Sequence, residues 1–339
     1  MPAVKRGYVI LMLISLVQLC GGFILLVWGA DRLVAGSSAT ARNLGVSPLI
    51  IGLTVIAFGT SAPEMVVSSV AAWQGKPGLA VGNAIGSNSA NIGLILGITA
   101  LIYPLRVESA TLKREYPQLM LIMLVSLLMA VDLQFSRLEG WILLFGLALL
   151  IAGLVRLGLR QASADPLARE FAAEIPTAMP MKTALLWVLA GLIVLPLSSH
   201  FLVQGALTIA RLLEVSETVI GLTIVALGTS LPELAASLTS ALRKEDELAI
   251  GNVIGSNMFN TLGVLGLAAV IHPVAFDATI LRQDIPVMLL FTVLLFFMAY
   301  GIHGPGCITR RSGGLLLLLY ILYQVLVWHT AMRTLDVAG

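Results

Sequence analysis

The chain has 339 residues and a formal net charge of +2, with charged residues at 11% and apolar residues at 58%. A soluble domain of this size carries about 25% charged residues, so this composition and a mean hydropathy of +0.98 exclude a water-soluble globule and point to a bilayer. No basic face remains outside the apolar stretches, which excludes nucleic acid as a partner.

Lys5 and Arg6 precede the first apolar run, and Ala35-Gly36-Ser37-Ser38-Ala39 imitates a signal-peptide cleavage site. The run exceeds the roughly 7–15 residues of a signal-peptide core, so it reads as a retained first span. Stretches near the ~20 residues needed to cross hydrocarbon then follow in order. Their approximate limits are 12–35, 48–73, 79–103, 117–132, 138–157, 183–207, 217–242, 248–271, 285–302 and 313–331. Runs such as Leu315-Leu316-Leu317-Leu318-Leu319 lack the alternation of a barrel strand, leaving helices to satisfy the backbone in lipid. The expected fold class is an all-α polytopic membrane protein with ten transmembrane helices.

Residues 1–157 and 183–339 each hold five spans, and the polar stretch 158–182 joins them. Lys and Arg number about twelve on one set of loops, Arg42 and Arg156 among them, and about seven on the other, Lys76 and Arg211 among them. By the positive-inside rule the connector is cytoplasmic and both termini are non-cytoplasmic, although Lys5 and Arg6 oppose this. Cys20 and Cys307 both read as embedded or juxtamembrane, so no disulfide framework is expected.

Spans two and three carry a sentence that spans seven and eight repeat. Gly59-Thr60-Ser61-Ala62-Pro63-Glu64 recurs as Gly228-Thr229-Ser230-Leu231-Pro232-Glu233. Gly82-Asn83-Ala84-Ile85-Gly86-Ser87-Asn88-Ser89-Ala90-Asn91 recurs as Gly251-Asn252-Val253-Ile254-Gly255-Ser256-Asn257-Met258-Phe259-Asn260. The offset is about 169 positions throughout, without a gap. Because five is odd, the second half enters the membrane from the opposite face, giving two inverted five-helix repeats.

Pro63 has no N–H, so the Gly59 carbonyl loses its helical donor; Pro232 does the same to Gly228. Freed carbonyls at membrane depth are tolerated only against protein or water. With the hydroxyls of Thr60 and Ser61 and the Glu64 carboxylate they form a set of hard oxygen donors, which Thr229, Ser230 and Glu233 double. Ser61 and Glu64 share a helical face at i and i+3, as do Ser87 with Asn91 and Ser256 with Asn260 at i and i+4. A hard cation suits six to eight such oxygens. A carboxylate at a helix centre costs on the order of 3 kcal/mol, and this chain bears that cost twice. The glycines Gly82, Gly86, Gly251 and Gly255 are accounted for by close helix packing. Asp31 reads as an interfacial anchor and His200 as an interfacial histidine. His272, His303 and His329 have no ligand spacing, and no phosphate loop appears.

The doubled motif resembles the alpha repeats of the calcium/cation antiporter superfamily, and within it the prokaryotic sodium/calcium exchangers. That resemblance implies calcium held between Glu64 and Glu233 with the backbone carbonyls of Thr60 and Thr229. It implies sodium sites using Ala57, Ser61 and Ser87 in one half and Ala226, Ser230 and Ser256 in the other. Asn91 matches the family pattern, whereas Asn260 stands where some members carry Asp, which speaks against potassium co-transport. It also implies that the first and sixth spans slide against the rest.

The expected function is a secondary antiporter exchanging calcium for sodium by alternating access in a bacterial inner membrane, in the direction of calcium extrusion. It is not an enzyme, needs no cofactor, and has calcium, sodium and lipid as its partners, with no obligate protein partner evident. A proton/calcium exchanger is the alternative, with the same glutamates carrying protons. A sodium-coupled solute symporter ranks lower, since no intramembrane Arg awaits an organic carboxylate.

Overall fold

A computed structural model describes residues 2–46, 51, 55, 57–107, 110–160, 179–300 and 306–338. Almost all of this is helix. In chain order the helices are α1 (Pro2–Asn43), α2 (Ala57–Thr60), α3 (Ala62–Trp73), α4 (Pro77–Ile102), α5 (Ala110–Met129), α6 (Arg137–Arg160) and α7 (Met181–Leu212). The second half continues with α8 (Glu217–Thr229), α9 (Leu231–Leu242), α10 (Asp246–Ile271), α11 (Ile280–Ala299) and α12 (Arg310–Ala338). Among the described residues eight helices are long and apolar enough to cross a membrane, and α8 with α9, bent by 42°, makes a ninth. The expected span 48–73 lies partly outside the described residues; its described part is α2 and α3. Most of the expected connector, 161–178, also lies outside them.

α1 runs well beyond the expected 12–35 because no breaker interrupts it until Gly45. There a left-handed residue (φ +83°) lets the amide of Val46 reach back to the Ala41 carbonyl at 3.0 Å, closing the helix. Within α4, α8 and α10 the middle turns widen to the π form at Asn91–Leu96, Gly221–Val225 and Asn260–Val264. Such turns occur frequently at functional sites.

Two short antiparallel ladders tie the halves together at the helix ends. β1 (Leu105–Val107) pairs with β4 (Gly306–Ile308), and β2 (Gln134–Phe135) pairs with β3 (Val274–Ala275). The buried apolar residues fall into two bodies. One joins α4, α5, α6, α10, α11 and α12 around residues such as Ile95, Tyr116, Phe259 and Phe291. The other gathers around α1 and α7, with Leu26, Leu195 and Leu202 at its centre. Outward faces carry Val17, Leu121, Phe145 and Leu186, all exposed, as a hydrocarbon surround permits. Cys20 and Cys307 are both free.

α1 and α7 lie antiparallel along most of their length. Small residues fall at every seventh position on both: Ser15, Gly22, Gly29 and Gly36 on α1, and Ala184, Gly191, Ser198 and Gly205 on α7. A Cβ on Gly36 would stand 2.6 Å from the Ala184 carbonyl oxygen, one on Gly191 2.9 Å from the Gly29 oxygen, and one on Gly205 2.8 Å from the Ser15 oxygen. The two backbones therefore touch directly, which only a side chain of one hydrogen allows.

Candidate ion site

Both copies of Gly-Thr-Ser-x-Pro-Glu sit at a helix break. Ser61 separates α2 from α3 and Ser230 separates α8 from α9, with backbone angles of φ −85°, ψ 2° and φ −84°, ψ 8°. Pro63 and Pro232 stand in the first turns of α3 and α9, where a missing amide costs nothing. Glu64 and Glu233 share those first turns, where the positive end of the helix dipole favours a carboxylate. The glycines ahead of each break leave room for side chains of α1. A Cβ on Gly59 would collide with Val34 of α1, and one on Gly228 with the ring of Phe23.

These breaks bring the two glutamates into one buried centre. Both are 0% exposed. The Ser230 hydroxyl donates to Glu64 Oε1 at 3.1 Å, and the Ser256 hydroxyl to Glu233 Oε1 at 3.4 Å. Ser61 also lies against Glu233, and Thr229 against Glu64, so Glu64 faces two hydroxyls of the opposite half and Glu233 one from each half. Oε2 of each has no hydrogen-bond partner.

Deeper along α4 and α10, the Asn91 amide donates to Asn257 Oδ1 at 3.0 Å, leaving its own Oδ1 unpartnered. Asn260 is fully buried with neither amide atom partnered, and the Ser87 hydroxyl is likewise buried and unpartnered. Buried polar groups ordinarily find partners; this concentration of orphaned oxygens calls for a partner that is not protein. The oxygen chemistry suits a hard cation.

Of the remaining expected site residues, Ala57 opens α2. The Ala226 carbonyl accepts the Ser230 amide at 3.1 Å and the Thr229 hydroxyl at 3.4 Å, so it is occupied in this arrangement. Thr60 donates to Asn252 Oδ1 at 3.2 Å and lies 3.4 Å from the Ser256 hydroxyl.

Asn83 and Asn252 are the residues that motif reading passed over. The Asn83 amide donates to the Glu64 carbonyl at 3.4 Å and to Ser68 Oγ at 3.0 Å, and its Oδ1 accepts from Thr229 at 3.1 Å. Asn252 makes the same three bonds to the Glu233 carbonyl, Ser237 and Thr60, at 3.3, 3.0 and 3.2 Å. Each asparagine thus fastens its own half's broken helix to the hydroxyl of the other half. The sequence signal was available: Ser68 and Ser237, one turn after each glutamate, keep the same offset.

A cavity approaches the centre on one side. It has a volume of about 330 Å³ and runs from Asp31 on α1 past Thr239 and Ser240 to Thr60 and Asn252. At the repeat-equivalent positions Val203, Val67, Ala71, Leu79 and Asn83 are fully buried, Val66 and Val70 are half-buried, and His200, which answers Asp31, is exposed. On that closed side Gly82 of α4 packs on Gly221 of α8, where a Cβ on Gly221 would stand 3.0 Å from the Asn83 amide. Lys76 pairs there with Glu217 at 2.5 Å, and Gln74 bonds both His200 and Gln204 of α7 at 3.2 and 3.1 Å.

A bundle of apolar helices around a buried, doubly acidic centre with a cavity on one side is the build of a membrane cation transporter. The chain belongs to the sodium/calcium exchanger protein family, which it matches over residues 14–155 and 183–329. It is 47% identical to CaxA of Alkalimonas amylolytica over 94% of this chain and 100% of that protein. It is 30% identical to the sodium/calcium exchanger MaX1 of Methanosarcina acetivorans over 91% of this chain and 97% of that one. Among solved structures, the sodium-calcium exchanger NCX_Mj superposes with a TM-score of 0.64 at 34% identity, covering 92% of this chain and 97% of that one. The chain is accordingly a transmembrane cation antiporter rather than an enzyme.

Proposed function

We propose that this protein exchanges calcium for sodium by alternating access, with Glu64 and Glu233 as the shared anionic ligands. The observation that carries the reading is the state of these two carboxylates. Both are fully buried, each retains an oxygen without a donor, and among the described residues neither has a cationic side-chain partner. Buried charges left uncompensated cost several kcal/mol each. One calcium or two sodium ions neutralise the pair, and the hydroxyls of Ser61, Ser87, Ser230 and Ser256, with Asn91, Asn260 and the carbonyls of Thr60, Thr229, Ala57 and Ala226, complete the oxygen set. Since an empty site is costly to reorient, one ion must be loaded as the other leaves, which makes the process exchange.

In this proposal the chain has ten spans in two inverted five-helix repeats, 1–157 and 183–339. Support comes from the mirrored bonds of Asn83 and Asn252 and from the matched backbone angles at Ser61 and Ser230. A cavity reaches one side of the centre at Thr60 and Asn252, while Val67, Ala71, Leu79 and Asn83 are buried at the repeat-equivalent positions, an asymmetry that two inverted repeats would exchange as access alternates. Both termini lie outside the cytoplasm, and the physiological direction is calcium export from the cell. The test is calcium-45 uptake into reconstituted vesicles under sodium, potassium or proton gradients imposed one at a time. Uptake that follows a proton gradient and ignores sodium would replace sodium with protons as the coupling ion.

A further inference from the structure

The doubled spacing extends beyond the motifs already described. Glu115-Tyr116-Pro117 in α5 and Asp284-Ile285-Pro286 in α11 stand at the same 169-residue offset. Both acids are buried, at 6% and 2% exposure, on helices distant in sequence from the Glu64/Glu233 centre. Their surroundings differ. Glu115 borders a cavity whose other lining residues are apolar except Gln118, whereas the cavity that Asp284 borders sets eight polar residues among apolar ones such as Val215, Leu222 and Val327.

That second cavity, of about 250 Å³, lies between the α7–α8 turn, the start of α11 and α12. Glu214, Ser216 and Thr218 line it from the first element, Asp277, Thr279 and Asp284 from the second, and Thr330 from the third. Its lining includes no Lys, Arg or His. Asp284 sits on a π turn, Ile280–Asp284, that widens the opening of α11. Its Oδ1 accepts from Tyr323 at 3.0 Å and from Gln283 at 3.4 Å. Gln283 is itself fixed by Thr330 at 3.1 Å. Among the described residues no donor reaches Oδ2, and Asp284 borders the open space. At the wet end, two hydrogen bonds from Thr279 hold the Asp277 carboxyl below the usual carboxylate range, with Arg282 adding to the effect. The cavity therefore has a fixed anion at its mouth and a carboxylate with an unused oxygen at its depth.

We propose that this cavity is a second cation site, separate from the transport centre, that takes a hydrated divalent cation on Asp284 with Asp277 and Glu214 at its mouth. The cation keeps part of its water shell: the described residues hold no group of three His, Cys, Asp or Glu close enough to ligate one ion directly. The volume accommodates several waters at about 30 Å³ each. The hydroxyls of Ser216, Thr218, Thr279 and Thr330 supply acceptors for that shell. Bound there, the cation bridges the first turns of α8 to α11 and α12, on the side where the transport passage is shut.

Terbium, a calcium surrogate whose luminescence a nearby tyrosine sensitises, tests this directly, because Tyr323 touches Asp284. The full-length protein carrying Glu64→Gln and Glu233→Gln together, purified in detergent, removes the transport centre from the measurement. The expected result is one saturable terbium site displaced by calcium. Asp284→Asn should weaken it at least tenfold, Asp277→Asn by a smaller factor, and Tyr323→Phe should dim the emission with little change in affinity. Gel filtration and circular dichroism establish that each variant is folded, and Asp277→Asn, at the mouth, stands in for Asp284→Asn if the latter misfolds. Absence of the signal in the folded double variant overturns the proposal, as does a signal that Asp284→Asn and Asp277→Asn leave unchanged. A pH-dependent change in transport on Asp284→Asn without terbium binding would assign the group to protons instead. None of these outcomes touches the reading of Glu64 and Glu233, which calcium-45 exchange tests separately.

Discussion

Asn83 and Asn252 make the same three hydrogen bonds, yet replacing each by alanine should have unequal cost. Asn83→Ala removes the bonds to the Glu64 carbonyl, Ser68 Oγ and the Thr229 hydroxyl, made at 3.4, 3.0 and 3.1 Å, on the side where Val67, Ala71 and Leu79 are fully buried. Asn83 is 0% exposed, so water cannot replace the lost partner. At roughly 1 kcal/mol for each group, the low end for such long bonds, the loss is about 3 kcal/mol. Asn252→Ala removes the equivalent bonds to the Glu233 carbonyl, Ser237 and Thr60, but Asn252 is 9% exposed and borders the cavity. Water entering from that cavity replaces much of what is lost, leaving about 1 kcal/mol. The difference, about 2 kcal/mol, is a factor near thirty in an equilibrium constant. Thermal unfolding in detergent, followed by intrinsic fluorescence without calcium, should show Asn83→Ala melting several degrees below Asn252→Ala. Equal shifts, or a larger shift for Asn252→Ala, would refute the argument that only one passage is wet in this state.

Glu64→Gln and Glu233→Gln should each abolish calcium-45 exchange in reconstituted vesicles while the protein still inserts; near-normal exchange by either would remove it from the site. Asn260→Asp places a third carboxylate near two others, and like charges raise a pKa, so transport should become more pH-dependent between about pH 5 and 8 or begin to respond to potassium. If both responses match the parent, Asn260 does not line the site. The resemblance to sodium/calcium exchangers implies three sodium ions for one calcium, which moves one net charge, worth about 2.3 kcal/mol per 100 mV. A potassium–valinomycin clamp should therefore shift the calcium distribution near fifty-fold per 100 mV, and a distribution that follows sodium but ignores the clamp would exclude an electrogenic cycle.

The membrane class, the helical fold and the family were legible because their signals are local: composition, apolar runs, and a motif repeated at fixed offset. The glutamates were legible for the same reason, since a carboxylate in hydrocarbon surroundings stands out against its neighbours. Asn83 and Asn252 were not, although both belong to the quoted motif. An asparagine's use depends on which carbonyl it reaches, and Asn83 reaches across 19 positions to Glu64 and across 146 to Thr229. Asp284 escaped because its partner Tyr323 lies 39 residues away and the offset linking it to Glu115 falls outside the conspicuous motif. The open and shut passages have nearly equivalent positions in the sequence. Only packing distinguishes them, with Val67 and Ala71 closed on one side where Ala236 and Ser240 line a cavity on the other.

The backbone contact between α1 and α7 has a mechanical consequence. Besides the side chains of Leu26, Leu195 and Leu202, these two helices meet backbone to backbone at Gly29, Gly36, Gly191 and Gly205, and such close contacts resist separation. The pair is therefore expected to move as one unit. α1 walls the open passage through Val27, Ala30, Asp31 and Val34, and α7 is fastened to the closed one through His200 and Gln204. In the proposed alternating access, a displacement of the pair that seals the first acts on the second as well. A membrane leak requires both ends of the path to gape together, and helices that move as a pair would work against that state.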